Sequence, residues 1–285
     1  MNVLRRGRWR RSRGAAVATA TILLVTGLAS TAQAATPAGD RSDIDAYVRK
    51  YDHPMGSQIR AHEGTAQMPQ SVNPADIGIT ASVEGIDVSG HQGNVDWPAQ
   101  WNAGRRFVWA KATEGTGYTN PYFGQQYNGS YNQGFIRGAY HFALPDRSSG
   151  AAQANYFSAN GGGWSGDGRT LPGALDMEYN PYGATCYGLS KAAMTTWIRD
   201  FSDTYMARWH KYPAIYTSAS WWNQCVSGDF SSTNPLWVAR YASTVGSLPL
   251  GWSVYTVWQY SSSPIDQNTF NGALDRLQVL ATNAD

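Results

Sequence analysis

Two acids two residues apart, Asp176 and Glu178, follow an apolar run, Leu171-Pro172-Gly173-Ala174-Leu175, and precede the turn-forming Asn180-Pro181. The run reads as a short buried strand. On a strand, residues i and i+2 share a face, so the two carboxyls project together, with their Cα atoms roughly 6–7 Å apart. Burying two carboxyls this close is costly unless they are paired, protonated or employed. Glycoside hydrolysis employs such a pair, one member holding a proton and the other ionised. Further acids stand where strands are expected to end: Asp87 in Gly85-Ile86-Asp87-Val88-Ser89, Glu114 in Lys111-Ala112-Thr113-Glu114-Gly115, and Asp266 after the last clear strand. In parallel α/β barrels reactive groups gather at the C-terminal ends of strands, where these acids would converge on one mouth.

The elements that must position them follow from the apolar pattern. Strands are predicted over 83–88, 107–112, 136–143, 171–178, 212–217, 236–241 and 254–260, with helices over 150–159 and 190–210. Ser190 is a suitable N-cap, and Ala192, Trp197, Phe201, Tyr205 and Trp209 recur near helical spacing. Strand–helix alternation points to a parallel α/β sheet, closed as a barrel or doubly wound. The last strands lack long helices between them, which argues against a regular eightfold barrel. Gly161-Gly162-Gly163 and Gly166-Asp167-Gly168 lack the preceding strand and following helix of a phosphate-binding turn.

Composition bounds the partners and the compartment. Six Arg and no acid lie in the first 34 residues; beyond them 16 basic residues face 20 acidic ones, a net −4 that leaves no face suited to nucleic acid. A basic start up to Arg13, an apolar stretch from Ala15 to Leu28 and then Ala32-Gln33-Ala34 read as a secretory signal over 1–34, cleaved before Ala35. The stretch is short and rich in Ala and Thr for a membrane anchor. Residues 35–82 are polar and irregular and read as a propeptide or linker, leaving a domain over 83–285. Cys186 and Cys225, the only cysteines, form a disulfide in an exported chain or remain two buried thiols. No His lies at metal-ligand spacing from a Cys or a second His, so neither a metal nor another cofactor is expected. The 12 Trp and 17 Tyr serve a bulky core or a groove with flat rings.

Seven stretches together resemble the glycoside hydrolase family 25 lysozymes of the Chalaropsis type. They are Gly85-Ile86-Asp87-Val88-Ser89, Val108-Trp109-Ala110-Lys111-Ala112-Thr113-Glu114-Gly115, Gly138-Ala139-Tyr140-His141-Phe142, Ala174-Leu175-Asp176-Met177-Glu178-Tyr179, Ile215-Tyr216-Thr217-Ser218, Trp237-Val238-Ala239-Arg240-Tyr241 and Val257-Trp258-Gln259-Tyr260. The resemblance implies an irregular TIM-like barrel of about five β/α units followed by β-strands. It also implies a secreted, monomeric N-acetylmuramidase that cuts peptidoglycan glycan strands with net retention. Carried over, Glu178 is the general acid, Asp176 its close partner, and Asp87 and Asp266 the remaining catalytic acids. Lys111, Glu114, Tyr140, Phe142, Tyr216 and Trp258 resemble groove-lining residues that contact substrate. Whether an aspartate or the substrate's own acetamido group attacks stays open at this point. A family 18 chitinase would carry aspartates at the positions of Ala174 and Leu171, and a wall-binding lectin would have no use for four acids. By strand alternation His141 faces away from Tyr140 and Phe142 and is structural.

Overall fold

The computed structural model describes residues 41–65 and 81–285. The expected secretory signal lies outside them. Two helices come first, α1 (Arg41–Tyr51) and α2 (Ser57–Glu63). Within the range read as irregular, 35–82, this corrects residues 41–51 and 57–63. Val48, Met55 and Ile59 are buried, but they are too few and too widely spaced to announce helices on their own.

The barrel follows as β1 (Val83–Val88), α3 (Trp97–Asn102), β2 (Phe107–Glu114), β3 (Tyr118–Thr119), α4 (Phe123–Gln133), β4 (Ile136–Phe142), α5 (Gly150–Ala159), β5 (Ala174–Asp176), α6 (Lys191–Trp209), β6 (Ala214–Thr217), α7 (Ala219–Cys225), β7 (Leu236–Ala239), β8 (Val257–Ser261), β9 (Asp266–Phe270) and α8 (Leu274–Thr282). Strand order is β1-β9-β8-β7-β6-β5-β4-β2-β3, and β1 also pairs with β2, so eight strands close on themselves with β3 appended. Around the closed barrel, pairing is parallel through β1, β2, β4, β5, β6, β7 and β8, while β9 runs antiparallel to both β8 and β1 and the appended β3 antiparallel to β2. Five β/α units are followed by three strands, an irregular TIM-like barrel.

Local chemistry explains the joints. Asp96, Ser149, Ser190 and Ser218 cap α3, α5, α6 and α7 by accepting backbone N–H groups of the first turn. The strand predicted over 171–178 shortens to Ala174–Asp176. Pro172 has no N–H to donate, yet Leu171 N–H donates to Arg137 C=O (2.8 Å) and Met177 N–H to Tyr216 C=O (2.9 Å), so the run stays in register on both sides. Helix α4, Phe-Gly-Gln-Gln-Tyr-Asn-Gly-Ser-Tyr-Asn-Gln, lacks an apolar stripe in its sequence. Asp266 does not merely follow the last strand: it opens β9, which the sequence reading missed.

Aromatic side chains fill the barrel. Trp109 and Trp237 lie 4.6 Å apart, and Tyr216 meets Trp237 edge-on at 5.3 Å. Cys186 and Cys225 form a disulfide with a Cα separation of 5.4 Å, tying the loop after β5 to the end of α7. Cross-linking residues 39 apart restricts the unfolded chain. Replacing both cysteines with Ala is expected to lower unfolding free energy by about 2–4 kcal/mol in urea titration.

Candidate active site

The parallel strands deliver their C-terminal residues to one mouth. Asp87 is next to last on β1, Glu114 ends β2, Phe142 ends β4 and Asp176 ends β5. Because β9 is antiparallel, its first residue arrives at the same end, and Asp266 pairs in register with Asp87. Asp176 and Glu178 are both 0 % exposed. All four expected catalytic acids therefore share one buried site.

Asp87 is the best served of them. Its Oδ2 accepts from Gln259 Nε2 (2.7 Å) and Asn268 Nδ2 (2.8 Å). Both amides are oriented by what they accept. Gln259 Oε1 takes the hydroxyls of Tyr216 and Tyr241 (2.6 Å each), and Asn268 Oδ1 takes the indole N–H of Trp237 (2.8 Å). Each amide thus turns its NH2 toward the carboxylate. Burial pushes Asp87 up, and the two amides and Arg60 pull it back, leaving it at about 6. Asp266 is raised well above the usual range by burial and by Asp87, against Arg60. Asp176 is raised well above it by burial and by Glu178 beside it. Neither oxygen of Asp176 has a hydrogen-bond partner among the described residues.

Glu178 is different. Burial pushes it up to about 7, but three backbone N–H groups and Arg60 resist. Gly56 N–H donates to Oε1 (2.8 Å), and Gln58 and Ile59 N–H donate to Oε2 (2.9 Å each). These donors come from the start of α2, where first-turn N–H groups have no partner within the helix. The two neighbouring acids have unequal surroundings: Glu178 receives these three donors, and Asp176 receives none among the described residues.

The same N-terminal segment meets the expected groove residues. Lys111 Nζ, fully buried, lies 2.6 Å from Asp52 Oδ1 and 2.7 Å from Glu114 Oε2, and donates to His53 C=O (2.7 Å). Glu114 also accepts from His53 N–H (3.0 Å) and Tyr182 Oη (3.1 Å). Tyr140 Oη accepts from Met55 N–H (3.1 Å), and the His53 ring sits 5.5 Å from Phe142. Tyr216 reaches the site through Gln259.

Trp258 is not brought there. On β8 it is Gln259 that faces the acids, and alternation turns Trp258 to the opposite face. Its indole N–H donates to Arg240 C=O (2.8 Å) in a fully buried position. The aromatic residue drew the sequence reading, whereas its polar neighbour serves the site. Asn268 shares a face with Asp266 and would have followed from β9 had that strand been recognised. Asp52, Gly56 and Arg60 left no sequence signal, and Tyr241 stood in a matching stretch without being singled out. His141 does face away from the mouth, between Thr113 Oγ1 (2.7 Å) and Gln153 Oε1 (2.8 Å), and burial lowers it to about 4. Among the described residues no group of three His, Cys, Asp or Glu is arranged to hold a metal ion.

Several buried carboxyls of unequal proton affinity at the mouth of an irregular barrel define a glycosidase-type hydrolase. Residues 86–269 match the family described as Glycosyl hydrolases family 25. Lysozyme M1 of Streptomyces globisporus is 44% identical over 95% of this chain and 93% of its own length. The N,O-diacetylmuramidase of Chalaropsis sp is 50% identical over 70% of this chain and 100% of its own length. The solved structure of a muramidase from Acremonium alcalophilum, 56% identical, superposes with a TM-score of 0.69 over 70% of this chain and 99% of that one. The chain belongs to glycosyl hydrolase family 25 and is a glycoside hydrolase.

The Lys111–Glu114 contact carries a pH signature. Burial alone would raise Glu114, but Lys111 and His53 bring it down to about 2 from the model-compound 4.5. A carboxyl lowered on folding adds stability that is complete above its unfolded value and is lost as pH falls toward its folded one. Glu114→Gln is expected to cost about 3 kcal/mol at pH 7. Urea titrations should show that cost shrinking by more than half at pH 3.

Proposed function

We propose that the chain is a secreted lysozyme that hydrolyses the β-1,4 bond between N-acetylmuramic acid and N-acetylglucosamine in bacterial peptidoglycan. The observation that carries this reading is Asp176: a fully buried carboxyl with two unpartnered oxygens, beside a second carboxyl of raised proton affinity. A buried acceptor left open is costly unless a ligand fills it. The amide N–H of a 2-acetamido sugar is the matching donor. Names of relatives with this barrel, lysozyme and muramidase, agree, and the disulfide suits export.

In this mechanism Glu178 gives its proton to the bridging oxygen as the C1–O bond breaks. The acetamido oxygen, oriented by Asp176 through its N–H, closes on C1 and takes up the developing positive charge. Glu178, now ionised, removes a proton from water; that water opens the ring intermediate from the face of the departed sugar, so configuration is retained. Asp87, kept ionisable by its two amide donors, and Asp266 add negative potential at the sugar ring. Tyr140, Phe142, Lys111 and Glu114 border the groove.

Compared in the chain cut between α2 and β1, with residues 41–65 washed away, Glu178→Gln is expected to leave the melting temperature nearly unchanged and to slow clearing of a cell-wall suspension by ~10²–10⁴-fold. Mass spectrometry of the soluble products should find reducing muramic acid ends. Reducing glucosamine ends, or normal clearing by the variant, would refute the assignment.

A further inference from the structure

The N-terminal segment is bound where a glycan would have to lie. The eight strands close without it. Asp45 and Asp52 touch the barrel's loops through Tyr122 Oη (3.0 Å) and His91 Nε2 (3.0 Å), and from Asp52 to Glu63 the segment otherwise reaches the groups that make the site. Asp52 meets Lys111 (2.6 Å), His53 meets Glu114 (2.7 Å), Met55 N–H meets Tyr140, three N–H groups meet Glu178, and Arg60 meets Asp266 (2.9 Å). Glu63 adds Tyr179 Oη (3.0 Å) and the Ser218 hydroxyl. Charge is matched at both ends, an acid on the buried lysine and an arginine among the acids. A cavity of about 380 Å³ bounded by Ile59, Glu63, Ala219 and Tyr241 opens on one side, and one of about 520 Å³ bounded by Tyr51, Glu114, Tyr118 and Tyr182 on the other. Each cavity is lined partly by the segment and partly by the barrel.

Gly56 marks the closest approach. Its φ is +74°, and a Cβ there would collide with the hydroxyls of Tyr216 and Tyr241 and with Gln259 Oε1. Only glycine fits this conformation and this space.

Resting on the reading of the mouth as a glycan site, we propose that residues 52–63 are a built-in peptide inhibitor: the intact chain is latent, and it becomes active when the chain is cut between α2 and β1 and the segment leaves. Two effects combine. The backbone excludes the sugar from the catalytic subsite, and its three N–H groups occupy both oxygens of Glu178, so that neither is free to meet a glycosidic oxygen. Covalent attachment keeps the segment at an effective concentration on the order of millimolar, which a cut abolishes.

The test uses the full chain with a specific protease sequence placed within residues 66–72. Retention on insoluble peptidoglycan and clearing of walls are read before cutting, after cutting, and after the freed segment is washed away. The intact chain is expected neither to be retained nor to clear. The washed, cut chain should do both, and a synthetic peptide of residues 41–64 should reverse both. Uncut Gly56→Val, and independently Arg60→Ala, should clear at least about tenfold faster than the uncut parent, since strained or unpaired variants seat less well. Equal retention and clearing by cut and uncut parent would overturn the inhibitor and leave the lysozyme reading standing. Retention gained on cutting without clearing supports the inhibitor and sinks the lysozyme reading. A washed, cut chain that neither binds nor clears walls overturns both.

Discussion

Four carboxyl groups that cannot all be ionised together are the constraint around which this molecule is organised. Asp87, Asp176, Glu178 and Asp266 occupy one nearly dry mouth, where each negative charge raises the cost of the next. The protein answers by giving them unequal surroundings. Asp87 receives two fixed amide donors, Asp266 an arginine, Glu178 three backbone N–H groups, and Asp176 nothing. Proton affinity then differs from one acid to the next, the condition under which neighbouring carboxyls can act as acid and as charge stabiliser in one reaction.

The scaffold supports that inequality at some distance. Trp237 turns Asn268, and Tyr216 with Tyr241 turns Gln259, so that both amides present donors to Asp87. The aromatic residues are thus core and electrostatics together: rings pack the barrel while their polar tips orient the groups that touch the acids. The reversal of strand direction at β9 has the same standing. A parallel final strand would have carried its first residue to the far end of the barrel, away from Asp87; the antiparallel one carries Asp266 to the mouth.

The N-terminal segment is part of these surroundings. While it is seated, three of its backbone N–H groups donate to Glu178 and Arg60 meets Asp266, whereas Asp176 has no donor among the described residues. On the reading of the mouth as a glycan site, one short stretch of backbone therefore covers the groove and occupies the acid beneath it.

Much was legible before any coordinates. Asp176 and Glu178 follow one apolar run two residues apart, and strand periodicity alone puts them together. Asp87 and the α6 pattern capped by Ser190 are equally local signals. The two helices of residues 41–63 were not legible, because so few apolar side chains mark them and their polar groups find partners only on the folded barrel. Trp258 misled because a matching stretch marks a strand as a whole, while alternation decides which of its residues face the site. Chain order settled the identities of the acids and, through strand period, which of them are neighbours. Their final count in one site, the donors each receives and the N–H groups laid over Glu178 depend on barrel closure and on a segment docking more than a hundred residues from its own place in the chain. Those are long-range contacts, set by the packing of whole elements, and no short window of sequence carries them.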